Sequence, residues 1–268
     1  MLTPSQYSAI IKEAYAHGMP QGHERAILRE YLQCELLTLL FEHPDSKNLA
    51  CIGGTSLRLL FDLDRFSEDL DFDCFLTQKK KTAIPFQYLA STLQRRGYDV
   101  VFRKKNTQTE RGGTFVFSKL LHLYELSGHT TETLKIKIDF TYQEARETEI
   151  RILNRFGFAE QIITLPLSVL CARKVYALIH RKRLQARDLY DLAWFFSRRV
   201  TPDEGTLSVI GIGSVLQVLE WIQELYRSHA SQIAGYERDI LPFLLDPNNV
   251  KLIRLLPSLA ENVLKKDN

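Results

Sequence analysis

The stretch from Leu49 to Phe75, LACIGGTSLRLLFDLDRFSEDLDFDCF, constrains the fold more than any other part of the chain. Leu49–Ile52 is a short apolar run that predicts a strand, and Gly53-Gly54 predicts a tight turn after it. Thr55–Phe61 then predicts a helix, and Asp69–Phe75 a second strand. In that strand Asp69, Asp71 and Asp73 alternate with Leu70, Phe72 and Cys74. A period of two puts the carboxylates on one face and the apolar side chains on the other. Acids two apart on a strand repel at close range, so they need water or a cation beside them.

Two chemical readings attach to this stretch. Glycines at a strand-to-helix junction let a ligand approach the backbone, and the free amides of a helix start attract phosphate. A bare structural turn has the same sequence. Asp69 and Asp71, placed behind Ser67, suit Mg²⁺, which takes oxygen ligands and keeps positions open for substrate phosphates. Two such ions would activate a hydroxyl nucleophile and steady a pyrophosphate leaving group. A solvated acidic face is the plain alternative, and the glycine turn upstream argues against it. Asp73 lies a further pair along the strand and is read as flanking the site.

The surrounding N-terminal pattern mixes helices and strands. Helices are predicted over 5–17, 24–42 and 83–96, with a basic link over 77–81. Strands are predicted over 98–103, 114–124 and 133–142, and more weakly near Ile150 and Ile162. A turn-rich loop is expected over 107–113 and a hairpin turn at Gly128-His129. In the strand over 133–142, Leu134, Ile136, Ile138 and Phe140 point one way, and Lys135, Lys137, Asp139 and Thr141 the other. Asp139 is the candidate third metal ligand; a salt bridge to Lys137 is the alternative.

After Pro166 only helical patterns remain, over 168–181, 186–197, 201–210, 215–228, 240–245 and 248–265. The expectation is an α+β domain over 1–165 and an α-helical domain over 166–268 that completes a cleft against it. Lys174 falls on an apolar helical stripe, where an ammonium is costly unless it is paired or reaches a cleft. It either reaches nucleotide phosphates or snorkels to water. Asp188 and Asp191 lie one turn apart on the next helix. Asp188 sits at a favourable helix start, and Asp191 has Arg187 at i,i+4 as a simple partner. Arg58, Lys137 and Arg173 are further candidate phosphate contacts. Gly211–Ser214 reads as a helix–helix turn.

Composition excludes little. The net charge of +3 neither favours nor disfavours nucleic acid, so local clusters carry that question. Basic clusters occur at 79–81, 95–96, 103–105 and 180–183, with Tyr98 and Phe102 interspersed. Each reads as a solvated face by itself, and together they read as an RNA phosphate track. Cys34, Cys51, Cys74 and Cys171 lie far apart with no C-x-x-C pair, as free thiols in a reducing cytoplasm do. No signal-peptide order and no apolar run long enough for a bilayer is seen, so a soluble cytoplasmic protein with no membrane partner is expected.

Gly53-Gly54-Thr55-Ser56-Leu57, followed by Arg65-Phe66-Ser67-Glu68-Asp69-Leu70-Asp71-Phe72, resembles the signature of the AbiEii/AbiGii toxins of type IV toxin–antitoxin systems. The Lys174 helix followed by Arg187-Asp188-Leu189-Tyr190-Asp191-Leu192 is similar to the C-terminal motif of that family. The resemblance implies a DNA polymerase β-like nucleotidyltransferase core, a mixed sheet with flanking helices, plus a helical C-terminal domain. It implies Mg²⁺, an NTP substrate, an RNA acceptor such as the tRNA 3′ end, and a cognate antitoxin. Carried over by position, Asp69 and Asp71 bind metal, Ser67 contacts the nucleotide phosphates, Lys174 binds the triphosphate and Asp188 is the further essential acid. Gly53, Gly54, Thr55 and Asp191 join Ser67 as candidate substrate-binding residues. A small-molecule or protein acceptor, or a non-catalytic module that binds RNA or protein, are the rival readings.

Overall fold

The computed structural model describes residues 1–75, 86–105, 111–144 and 146–265. The basic link over 77–81, the start of the helix expected from residue 83 and most of the loop over 107–113 lie outside the described residues. Two compact units emerge, one of residues 1–62 and 66–164, the other of residues 63–65 and 165–268.

In the first unit, α1 (Pro4–Ala16) and α2 (Glu24–Phe41) lead into a 3-10 turn and then β1 (Leu49–Ile52), α3 (Gly53–Leu60), β2 (Leu70–Cys74) and α4 (Phe86–Arg95). There follow β3 (Val100–Lys104), β4 (Arg111–Phe117), α5 (Leu120–Leu123), β5 (Leu134–Tyr142), β6 (Glu149–Arg155) and β7 (Phe158–Thr164). The seven strands form one mixed sheet in the order β3-β4-β5-β2-β1-β7-β6. β2 runs parallel to β5, and β1 parallel to β7, while the other neighbours are antiparallel.

The apolar stripe of α2 explains its place. Ile27, Leu28, Leu32, Leu36 and Leu40 are buried, and the helix packs on β5, β6, β7 and α4. Alternation in β5 puts Leu134, Ile136 and Ile138 into that core and leaves Lys135 exposed. At the far edge Phe86 of α4 stacks on Phe102 of β3, ring centres 4.9 Å apart. Glu30 within α2 is buried with Arg58 of α3 in a two-pronged ion pair, at 2.8 and 3.0 Å.

The second unit is helical: α6 (Leu167–His180), α7 (Ala186–Ser197), α8 (Glu204–Val209), α9 (Val215–Ser228), α10 (Ile233–Ile240) and α11 (Leu252–Leu264). α11 packs on α7 and α9. Residues 63–65 are built into this unit. The Leu245 amide donates to the Asp64 carbonyl at 2.9 Å, and the Tyr190 hydroxyl donates to the Asp64 carboxylate at 2.8 Å.

Several elements differ from the sequence expectation. Gly53 and Gly54 form the first turn of α3 instead of a separate turn before it. The acidic strand begins at Leu70, so Asp69 belongs to the loop that enters it. Gly112 and Gly113 lie within β4, not in a loop, and β4 ends at Phe117. Lys119, at φ 63, then turns the chain into the short α5, so β4 and β5 are not joined by a tight hairpin at Gly128. Near the C-terminus the helix expected over 240–245 is the preceding α10 followed by a 3-10 turn, because Pro242 lacks the amide an α-helix needs. Among the described residues no helix is long and apolar enough to cross a membrane.

Candidate active site

The acids of the first unit gather where β1, β2 and β5 lie side by side. Register pairs Asp71 with Asp139 on the parallel neighbour, and pairs Asp71 with Ile52 on the other side. Paired residues of adjacent strands share a face, so the Asp71 and Asp139 side chains emerge together. Gly53, the next residue after Ile52, adopts φ +75. A Cβ there would stand 2.4 Å from the Asp71 Oδ2. The glycine is therefore needed twice, for its left-handed backbone and for the space that the carboxylate fills.

Asp69 is placed by its backbone. The buried Thr55 hydroxyl donates to the Asp69 carbonyl, across the loop between α3 and β2. Thr55 thus serves the site as a tether. One residue earlier in that loop, Glu68 pairs with Arg29 at 2.8 Å. The Ser67 carbonyl accepts from the Gln33 amide at 3.1 Å. Ser56 bonds Thr164 at 2.9 Å, and Thr164 donates to the Cys51 carbonyl at 2.7 Å. These contacts bind the glycine helix to the strands on either side of it. Asp73 is wholly buried.

Lys137 supplies the positive charge. Its ammonium donates to the Asp139 carboxylate, so the salt bridge weighed from sequence is present. That hydrogen bond, with the charges of Asp139, Asp69 and Asp71, raises the pKa of Lys137 against the opposing effect of partial burial. Among the described residues no three His, Cys, Asp or Glu side chains stand at metal-holding spacing. The donors nevertheless suit Mg²⁺. Asp71 and Asp139 offer hard oxygens from adjacent strands, and Gly53 makes room for the Asp71 carboxylate. Mg²⁺ is commonly held by one or two carboxylates plus substrate phosphates, and needs no all-protein cage.

The second unit holds a buried charge cluster of its own. Lys174 of α6 reaches Asp191 at 2.6 Å and Asp188 at 3.6 Å. Both carboxylates are fully buried, and the Lys174 side chain is 14% exposed. Arg65 grips Asp191 with two parallel bonds of 2.6 and 2.7 Å. Asp191 therefore pairs with Arg65 and Lys174, not with Arg187. Burial alone would raise the Asp191 pKa, but the Arg65 and Lys174 charges outweigh it and hold the group below the usual carboxylate range. Asp188 contacts Arg181 at 3.1 Å as an ion pair. Among the described residues, neither of its buried oxygens accepts a geometrically sound hydrogen bond. The two acids thus differ: Asp191 is saturated, and Asp188 keeps acceptor capacity.

Other candidates resolve into structural roles. Arg58 is buried against Glu30. From the basic clusters, Arg181 is taken by Asp188 and Arg96 by Glu35, the latter at 2.9 Å. The cluster at 79–81 lies outside the described residues. Gly211–Ser214 links α8 to α9, with Ser214 capping α9. All four cysteines are buried free thiols. Arg65 has no assigned role in the sequence pattern, yet it is the two-pronged partner of Asp191. It stands in the quoted motif, but nothing local signals that its partner is 126 residues away.

A mixed sheet that presents paired carboxylates beside a glycine-led helix, with a helical unit carrying a buried Lys–Asp cluster, defines a nucleotidyltransferase-like fold. The family model described as "Nucleotidyl transferase AbiEii toxin, Type IV TA system" matches residues 36–240, and the chain belongs to that family. Solved structures of similar fold include JHP933 from Helicobacter pylori, with a TM-score of 0.59 at 19% identity, over 91% of this chain and 93% of that one. A "putative nucleotidyltransferase" from H. pylori aligns with a TM-score of 0.61 at 20% identity, over 91% of this chain and 96% of that one. No curated protein sequence matches the chain.

Proposed function

We propose that this family member transfers a nucleoside monophosphate from an NTP, with Mg²⁺, to the 3′ end of an RNA, with tRNA as the leading acceptor. The observation that carries the reading is the register match of Asp71 with Asp139 beside Gly53. In the reaction the acceptor hydroxyl oxygen bonds to the α-phosphorus. The bond from that phosphorus to the bridging oxygen breaks, and pyrophosphate leaves.

Asp69, Asp71 and Asp139 would hold Mg²⁺, which when bound supplies charge neutralisation at the phosphates and lowers the pKa of an oxygen nucleophile. Asp139 is also the group assigned to receive the acceptor's proton, and Lys137 is the cation that orients it. The amides of Gly53 and Gly54, with Ser67, are assigned to the nucleotide phosphates. Lys174 is assigned to the triphosphate, Asp191 to holding Lys174, and Asp188 to the further essential acid. Asp188, ion-paired with Arg181 but without a hydrogen bond to either oxygen among the described residues, retains the acceptor capacity that supports that last choice. An antitoxin partner follows from the family, and inhibition through it is part of the proposal.

The test is incubation of the purified protein with Mg²⁺, each labelled NTP in turn and total cellular RNA, beside Asp71→Ala. Label should appear at RNA 3′ ends with the wild type and fall at least ~10³-fold with the variant. Transfer to no RNA by a folded wild-type protein sinks the reading.

A further inference from the structure

The face of the sheet that carries Asp71 and Asp139 also carries basic side chains on β3 and β5. Strand register shows it. Arg103 of β3 lies opposite Thr114 of β4, which lies opposite Lys137 of β5. One step along, the Lys105 amide bonds the Gly112 carbonyl at 3.0 Å, Gly112 pairs with Asp139, and Asp139 pairs with Asp71. Lys135 precedes Lys137 on the same face of β5 and pairs with Val116. Arg103 and Lys135 are exposed. The opposite face of these strands is the aromatic and aliphatic core, with Phe102, Phe115, Ile136 and Ile138.

Gly112 completes the surface. It adopts φ +147, and a Cβ there would strike the Ile138 carbonyl at 1.9 Å. The close approach of the β5 backbone requires the glycine, and beside Asp139 the sheet consequently carries no side chain. The result is a bare step between Lys105 and Asp139, flanked by Arg103 and Lys137, with Lys135 farther along β5.

We infer that this β3–β4–β5 face binds the phosphodiester backbone of a single-stranded acceptor, which crosses Gly112 and delivers its terminal hydroxyl beside Asp139 and Asp71. The inference rests on the RNA-acceptor reading above and locates the strand. Reach separates it from a contact to the triphosphate chain alone. Strands lie about 4.8 Å apart, so Lys105 is about 14 Å from Asp71 across three steps, and Lys135 is about 13 Å from Asp139 along β5. A span of that length exceeds a triphosphate chain and suits a short single-stranded segment tracked along its backbone. The contacts are cationic, and the aromatic rings of these strands lie mostly in the core, so binding should tolerate sequence and depend on salt.

The experiment uses full-length protein without NTP and a fluorescein-labelled single-stranded 20-mer RNA, read by anisotropy over a salt series. Arg103→Glu/Lys135→Glu is compared with wild type and with Lys12→Glu, a charge reversal on exposed α1. The double variant should weaken binding roughly tenfold or more and flatten the salt slope by about 1.4, the loss of two phosphate contacts. Lys12→Glu should change neither, and the Mg·NTP-induced rise in Tm should match wild type in all three proteins. Wild type that does not bind, a double variant that binds like wild type, or an equal loss with Lys12→Glu overturns the inference. So does a double variant that loses only the NTP-induced shift, because the face then serves the triphosphate. Binding as expected without nucleotide transfer supports the surface and sinks only the transfer reading.

Discussion

Gly53 and Asp71 are a single unit in physical terms, because the carboxylate occupies the volume where a β-carbon would be. Gly53→Ala must strain a left-handed backbone and displace Asp71 together. We expect a loss of about 1–3 kcal/mol in urea unfolding and a fall of at least about tenfold in kcat, with the fold retained by circular dichroism. The Arg65–Asp191 pair belongs to the same scale. Removing one partner of a buried ion pair leaves an uncompensated charge, so Arg65→Met should cost about 3–5 kcal/mol, measured by denaturant unfolding. The Asp191 pKa is depressed in the folded protein. The stability it contributes is thus fully present above its unfolded value of about 3.9 and is lost as pH falls through its folded value. The stability gap between wild type and Asp191→Asn should therefore be widest near neutral pH and shrink below about pH 4.

At the scale of elements, the loop between α3 and β2 presents Asp69, and Thr55 ties that loop back to its helix. Thr55→Val keeps the shape and removes the donor. It should lower stability by about 1 kcal/mol but lower nucleotidyl transfer by more than that loss accounts for, with Mg²⁺ dependence shifted to higher concentration. A stability loss with unchanged transfer kinetics would show that the tether does not position Asp69. β4 carries the opposite kind of constraint. Gly112→Ala collides with the backbone of β5, so the strand must shift or separate, and thermal unfolding should show a loss of more than about 2 kcal/mol.

For the whole molecule, the passage of residues 63–65 into the second unit matters most. A fragment of residues 166–268 would lack Arg65, which neutralises Asp191, and Asp64, which accepts from Tyr190 and Asn249. We expect this fragment to be helical by far-ultraviolet circular dichroism but without cooperative thermal unfolding. A sharp two-state transition for the fragment would show that the three-residue excursion is dispensable. The sequence pattern places the border near residue 165 and contains no hint of the excursion, because three residues between a helix and a loop carry no periodicity.

Much of this protein was legible as pattern. Alternation announced β2 and β5, the stripe of α2 announced a core helix, and the spacing Gly53-Gly54 to Asp69 and Asp71 carried the family resemblance. These are local signals, since side-chain direction follows backbone period. What the tertiary structure decided was pairing. Register set Asp139 beside Asp71, Lys137 took the Asp139 carboxylate, and the long-range contact of Arg65 distinguished Asp191 from Asp188. It also turned Arg58 from a candidate phosphate contact into the partner of Glu30. A sequence fixes which charges a chain owns and which way each element faces. Which opposite charges meet depends on chain segments far apart in sequence, and only the packed structure brings those together.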